Sequence, residues 1–175
     1  TWTVLPYSVN VLEYGQGFGS GGQGTYDLAL CVNDTNENVF YTGGINLWGS
    51  QDVGQTYSPI SHWTYSYGNN TIHADIHSID KQPGTKNYFV CTDGGLHKTR
   101  NLVLHDWNGG WPTIWEDMSN GMQITSFYRI SSSRNTAGRL TGGAQDNSTF
   151  YTKNNDWATI FGGDGMDNYL SGINN

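Results

Sequence analysis

An all-β protein of short strands joined by tight turns is predicted from three observations: an aromatic and glycine-rich composition, clustered turn residues, and an internal repeat of about fifty residues. The 175 residues include 24 Gly, 7 Trp, 11 Tyr and 6 Phe, while only 13% are charged. So many large aromatic side chains can bury enough apolar surface to offset the entropy of ordering, which excludes a disordered chain. Helical bundles and coiled coils need far more Ala, Leu, Glu and Lys. No run approaches the ~18 apolar residues of a membrane-spanning helix, so membrane insertion is not expected. Fifteen Asp and Glu against eight Lys and Arg give a net charge of −7, which opposes a nucleic-acid backbone or an anionic lipid surface as partner. A sugar, another neutral ligand or a cation suits this charge better.

The strands follow from apolar and β-branched runs bounded by Asn, Asp and Gly. In a first copy they are Tyr26–Val32, Val39–Thr42, Ile45–Trp48 and Thr56–Ile60, with Asn33-Asp34-Thr35-Asn36-Glu37-Asn38 as the first turn. A second copy runs Asp75–Ile79, Tyr88–Cys91, Leu96–Thr99 and, after an insertion from Arg100 to Pro112, Thr113–Met118. A third, shorter copy runs Phe127–Ile130, Arg139–Thr141, Thr149–Thr152 and Trp157–Ile160. A Gly-Gly pair marks each copy, at Gly43-Gly44, Gly94-Gly95 and Gly142-Gly143. Such four-stranded meanders cannot bury both faces alone. Stacked radially they are the blades of a β-propeller.

The predicted architecture is therefore a β-propeller segment of about three four-stranded blades plus strands of neighbouring blades. Residues 1–25 read as the end of a preceding blade and a linker, 26–61 as a blade, 62–119 as a blade with inserted loops, 120–165 as a blade, and 166–175 as the start of the next. Thr1–Leu5 is the expected last strand of the earlier blade and Asp167–Leu170 the first strand of the later one. Propellers close with about four to eight blades, so the remaining blades are expected from a longer chain or from another subunit. Cys31 and Cys91 sit in apolar strands and read either as buried thiols or as a disulfide.

Ser50-Gln51-Asp52-Val53-Gly54-Gln55-Thr56-Tyr57 follows Ser-x-Asp-x-Gly-x-Thr plus an aromatic residue, and this stretch resembles an Asp-box, the bacterial neuraminidase repeat. That motif marks the turn between third and fourth strands in sialidases, sortilin-type receptors and xyloglucan-hydrolysing propeller glycosidases. Ser50, Asp52, Gly54, Thr56 and Tyr57 are thereby implied to be structural: the Asp side chain accepts backbone N–H groups across the turn, and Gly takes a conformation closed to other residues. His73-Ala74-Asp75-Ile76-His77, Thr92-Asp93-Gly94-Gly95-Leu96, Gly142-Gly143-Ala144-Gln145-Asp146-Asn147 and Gly162-Gly163-Asp164-Gly165 extend the resemblance to large secreted bacterial propeller proteins that are glycosyl-hydrolase-like or sortilin-like. It departs from the pattern at Ser148, where Gly is expected. An extracellular or cell-surface location is what the resemblance implies.

Acidic residues beside the Gly-Gly turns are the first site candidates: Asp75, Asp93, Asp146 and Asp164. By resemblance to the xyloglucan-hydrolysing family, Asp93 and Asp164 would be the catalytic pair; the bottom-up alternative makes them turn formers. No motif among Arg100, Arg129, Arg134 and Arg139 matches a sialidase. His73, Asp75 and His77 alternate along an expected strand and would share one face, suiting a divalent metal, a hydrogen-bonded network or a sugar. Calcium has oxygen ligands on offer at Asp164–Asn168 and at Asn154–Asp156. Trp48, Trp63, Trp107 and Trp111, with Tyr65 and Tyr67, lie in or beside loops and could stack on sugar rings, with Asp146 as a further ligand contact. The readings that follow are a propeller module binding glycan or protein, a glycoside hydrolase with part of its site outside this chain, and a sortilin-like peptide receptor.

Overall fold

Twelve strands form three four-stranded antiparallel sheets, and the described residues contain no helix. The computed structural model describes residues 4, 9–64, 71–104 and 113–171. The first sheet comprises β1 (Ala29–Val32), β2 (Phe40–Gly43), β3 (Leu47–Ser50) and β4 (Ser58–Ser61). The second comprises β5 (Ile76–Lys81), β6 (Tyr88–Thr92), β7 (Gly95–Thr99) and β8 (Glu116–Asp117). The third comprises β9 (Arg129–Ser132), β10 (Leu140–Gly143), β11 (Thr149–Lys153) and β12 (Asp156–Phe161). Within each sheet the spatial order is the chain order, so each is the up-and-down meander of a propeller blade. The chain is thus an all-β, propeller-like segment.

The turns explain why the strands end where they do. Asn33 Oδ1 accepts from the backbone N–H of Thr35 and Asn36 at 2.9 and 3.1 Å and from the Thr35 hydroxyl at 2.8 Å, the side-chain mimic of a backbone turn. Asn154 and Asn155 take left-handed φ of 56° and 70° between Lys153 and its partner Asp156, the two-residue hairpin turn that Asn tolerates. Those residues shape a hairpin, where the sequence also offered them as calcium ligands. Ser50 Oγ accepts from the Gly54 N–H at 2.8 Å and donates to Asp52 Oδ1 at 2.9 Å, while Asp52 accepts from the backbone and hydroxyl of Thr56 at 2.9 and 2.6 Å. These bonds hold the Asp52 carboxyl below the usual carboxylate range. Tyr57 meets Phe40 edge to face, with centroids 5.9 Å apart.

Two compact units divide the chain, Thr1–Gly121 with the first two sheets and Met122–Asn175 with the third. In the first unit, Tyr41, Leu47 and Ile60 from one sheet pack with Ile76, Ile79, Tyr88 and Val90 from the next. Strands β2 and β5 approach closely because Gly43, at the end of β2, has no Cβ; one built there would strike the Ile76 side chain. Cys31 and Cys91 are free thiols, and burial raises the Cys31 pKa. In the second unit, Phe127 stacks on Trp157 at 5.6 Å and meets Phe150 edge to face at 5.9 Å.

Two expectations change. Asp167–Leu170 forms no strand; it runs beside β9, tied by single bonds from Asn168 Nδ2 to the Arg129 carbonyl and from the Leu170 N–H to Ser131 Oγ, each with a side chain where a ladder has backbone on both sides. The three Gly-Gly pairs are not equivalent either. Gly43 ends β2, Gly94 sits in the turn between the paired Thr92 and Gly95, and Gly142 and Gly143 both lie inside β10. Of the expected strand Thr1–Leu5, only Val4 is among the described residues.

Candidate functional site

Antiparallel order brings the N-terminal ends of β1 and β5 to the same end of the first unit as the β6–β7 turn, and this end gathers an acidic, hydrogen-bonded cluster. Tyr26 and Asp27 precede β1, Asp75 precedes β5, and Asp93 occupies the turn. The Tyr26 hydroxyl donates to Asp93 Oδ2 at 2.8 Å, and His77 Nε2 lies 2.6 Å from Asp93 Oδ1. The Tyr26 and His77 rings meet edge to face with centroids 5.1 Å apart. Gln23 Nε2 donates to Asp75 Oδ1 at 2.9 Å.

A carboxylate only accepts, so His77 Nε2 is the donor in this contact. The Asp93 side chain is 14% exposed and that of His77 37%, while Tyr26 is 52% exposed. A flat aromatic face beside a carboxylate and an imidazole offers a stacking surface with polar groups at its edge.

Asp27 lies beneath this surface. It is fully buried beside Asp75. Burial first, and then the charge of Asp75, push its pKa up to about 6, with its own backbone amide and His77 partly opposing the rise. Burial and Asp93 likewise raise Asp75, against His73, the Gln23 bond and His77. Asp27 is therefore largely a neutral acid in weakly acidic solution.

The alternation expected for His73, Asp75 and His77 does not occur. β5 begins at Ile76, Asp75 has a left-handed φ of 65°, and His77 is the extra residue of a bulge between the pairs Ile76–Thr92 and Ser78–Cys91. A bulge re-aims its side chain, and here it turns His77 toward Asp93. Asp75 faces Gln23, and the His73 ring lies against Gly94, where a Cβ would strike it. Among the described residues, no group of three or more His, Cys, Asp and Glu is arranged to hold a metal ion.

The other predicted residues are dispersed. Trp48 is fully buried on the face opposite Leu47, near Gly17 of the loop over residues 9–24, so it cannot stack on a ligand. Trp63 is 45% exposed; its Nε1 donates to the Tyr14 carbonyl at 2.9 Å. Trp107 and Trp111, with Tyr65 and Tyr67, lie outside the described residues. Asp93 and Asp164 belong to different compact units. Asp164 Oδ1 accepts from the Asp146 N–H at 2.9 Å, with Asp146 at φ 59°, so both residues serve a turn. Gln23, Tyr26 and Asp27 were missed from sequence. Their signal was the recurrence of an Asp just ahead of the first strand in the first two copies, Asp27 before Ala29 and Asp75 before Ile76.

No family model matches the chain, and no curated protein matches it. Among solved structures, an ancestral GH74 enzyme aligns with a TM-score of 0.35 and 17% identity, over 77% of this chain and 18% of that one. The chain therefore spans less than a fifth of that enzyme's length. No helix among the described residues is long and apolar enough to cross a membrane.

Proposed function

We propose that this chain is a propeller module that binds a glycan at the Tyr26–Asp93–His77 end of its first two sheets. The observation that carries this reading is the half-exposed Tyr26 ring whose own hydroxyl is anchored to Asp93 beside an exposed imidazole. Sugar rings stack on such faces, and their hydroxyls donate to carboxylates and exchange hydrogen bonds with imidazole. The bonds within Ser50–Thr56 support an Asp-box turn, and with it a secreted or cell-surface protein of that kind. Further blades, from a longer chain or another subunit, would complete the ring.

Binding is preferred to hydrolysis because a glycosidase needs two carboxyl groups facing one bond. Asp93 already carries two donors and Asp164 caps a turn. The test is a glycan array probed with the full chain and with Tyr26→Ala and Asp93→Asn, followed by an assay for released reducing ends. The expected result is selective binding that weakens at least about tenfold in either variant without hydrolysis. Binding that is absent, or unchanged in both variants, would overturn the proposal; turnover abolished by Asp93→Asn would replace it with the hydrolase.

A further inference from the structure

The opposite end of the first two sheets holds an open cavity of about 500 Å³, lined by the β1–β2 turn, the β5–β6 turn and the segment leaving β7. Lys81, Lys86 and Arg100 line it, out of only 8 Lys and Arg in the chain. One of the three is neutralised: Lys81 Nζ pairs with Asp34 and lies 5.8 Å over the Tyr88 ring. Lys86 and Arg100 are exposed at the rim and make no ion pair among the described residues. Glu116 feels the Arg100 charge, but its carboxylate is bonded to Lys98 at 2.9 Å. The floor is apolar, with Tyr88 buried and its hydroxyl accepting from Asn33 Nδ2 at 3.2 Å.

This arrangement runs against the chain's own charge. A protein of net charge −7 repels extended polyanions, yet here three cations face one concavity with a single carboxylate among them. Held together they repel, and an oxyanion between them relieves that repulsion. The cavity volume falls within the range of about 300–1,000 Å³ usual for small-molecule sites. Its lining also carries the Asn101 amide, suited to sugar hydroxyls.

We propose that this cavity binds a small acidic saccharide, with a carboxylate or sulfate group set between Lys86 and Arg100. The site shares no residue with the Tyr26 cluster and does not depend on it. The full chain would be titrated calorimetrically with trigalacturonic acid, with a sulfated disaccharide and with a neutral trisaccharide, the first two separating carboxylate from sulfate. At least one acidic probe is expected to bind in a way that depends on Lys86 and Arg100, whereas any binding of the neutral one, at the Tyr26 end, does not depend on them. The Lys86→Ser/Arg100→Ser double variant should bind at least about tenfold more weakly; both side chains are exposed, so the fold is retained. Lys153→Ser, which removes an exposed cation from β11, should leave that affinity unchanged. The proposal fails if neither acidic probe binds, if the double variant binds them normally, if it weakens the neutral probe as much as the acidic ones, or if Lys153→Ser weakens them equally.

Discussion

Tyr26 donates its hydroxyl hydrogen to Asp93 Oδ2 at 2.8 Å, across 67 residues of chain and from the start of one sheet to a turn of the next. Asp93 also meets His77, so one carboxylate ties together the approach to β1, the bulge of β5 and the β6–β7 turn. The pairing of these two sheets is thus written into the candidate site as well as into the apolar core.

Tyr26→Phe removes only the hydroxyl. Because the ring is half exposed and Asp93 keeps His77, the expected loss is modest, about 1 kcal/mol in urea unfolding. Glycan affinity should fall together with stability, since Asp93 is then free to move. Unchanged unfolding and unchanged affinity would show that the bond positions nothing.

Asp27 sets a pH dependence of definite sign. Its folded pKa of about 6 lies above the ordinary value of 3.8, so the folded state holds the proton more tightly. That contribution is complete below about pH 4 and is lost as the pH rises through about 6. Asp75 acts in the same sense, while Asp52 and Asp117, both lowered, act oppositely at lower pH. Relative to the parent chain, Asp27→Asn should gain roughly 1–3 kcal/mol between pH 4 and pH 7. Parallel stability curves for the two proteins would contradict this.

Backbone strain at two non-glycine residues can be relieved. Val53, β-branched, has φ 59°, and Ser148 has φ 80°, both in the left-handed region that L residues avoid. Val53→Asn and Ser148→Gly should each raise stability by about 0.5–1 kcal/mol. A lowered melting temperature in both would mean that their side chains contribute more than the strain removes.

Ser50 is buried at the end of β3, where its hydroxyl meets Asp52 and the Gly54 N–H of the following turn. Ser50→Ala leaves that buried N–H without its acceptor and should cost about 1–3 kcal/mol. Thermal unfolding measures it. A neutral outcome would show that water or a shifted turn replaces the hydroxyl.

Much of the fold was legible because strands and turns are local. The Asn33–Asn38 turn reads directly from side chains that hydrogen-bond their own backbone, and Ser50–Tyr57 from spacing alone. Strand positions shifted by one to three residues in several places, as when β1 opened at Ala29 instead of Tyr26. The candidate site was less legible. Asp93 was visible beside its glycines, and His77 was singled out for a metal, but their association with each other and with Tyr26 was not. Trp48 looked like a loop aromatic and proved fully buried, because the segment over residues 9–24 covers its face of the sheet.

By itself the sequence determined the all-β class, the strand order and the turn chemistry, since hydrophobic period, Asx turns and glycine φ act within a few residues. Only the tertiary structure decided which carboxylates meet. A one-residue bulge at His77 reverses the facing of side chains along a strand, and the close approach of β1 to β5 brings Tyr26 to Asp93 and Asp27 to Asp75. The contacts that define the site therefore depend on register and packing between sheets, which no local pattern encodes.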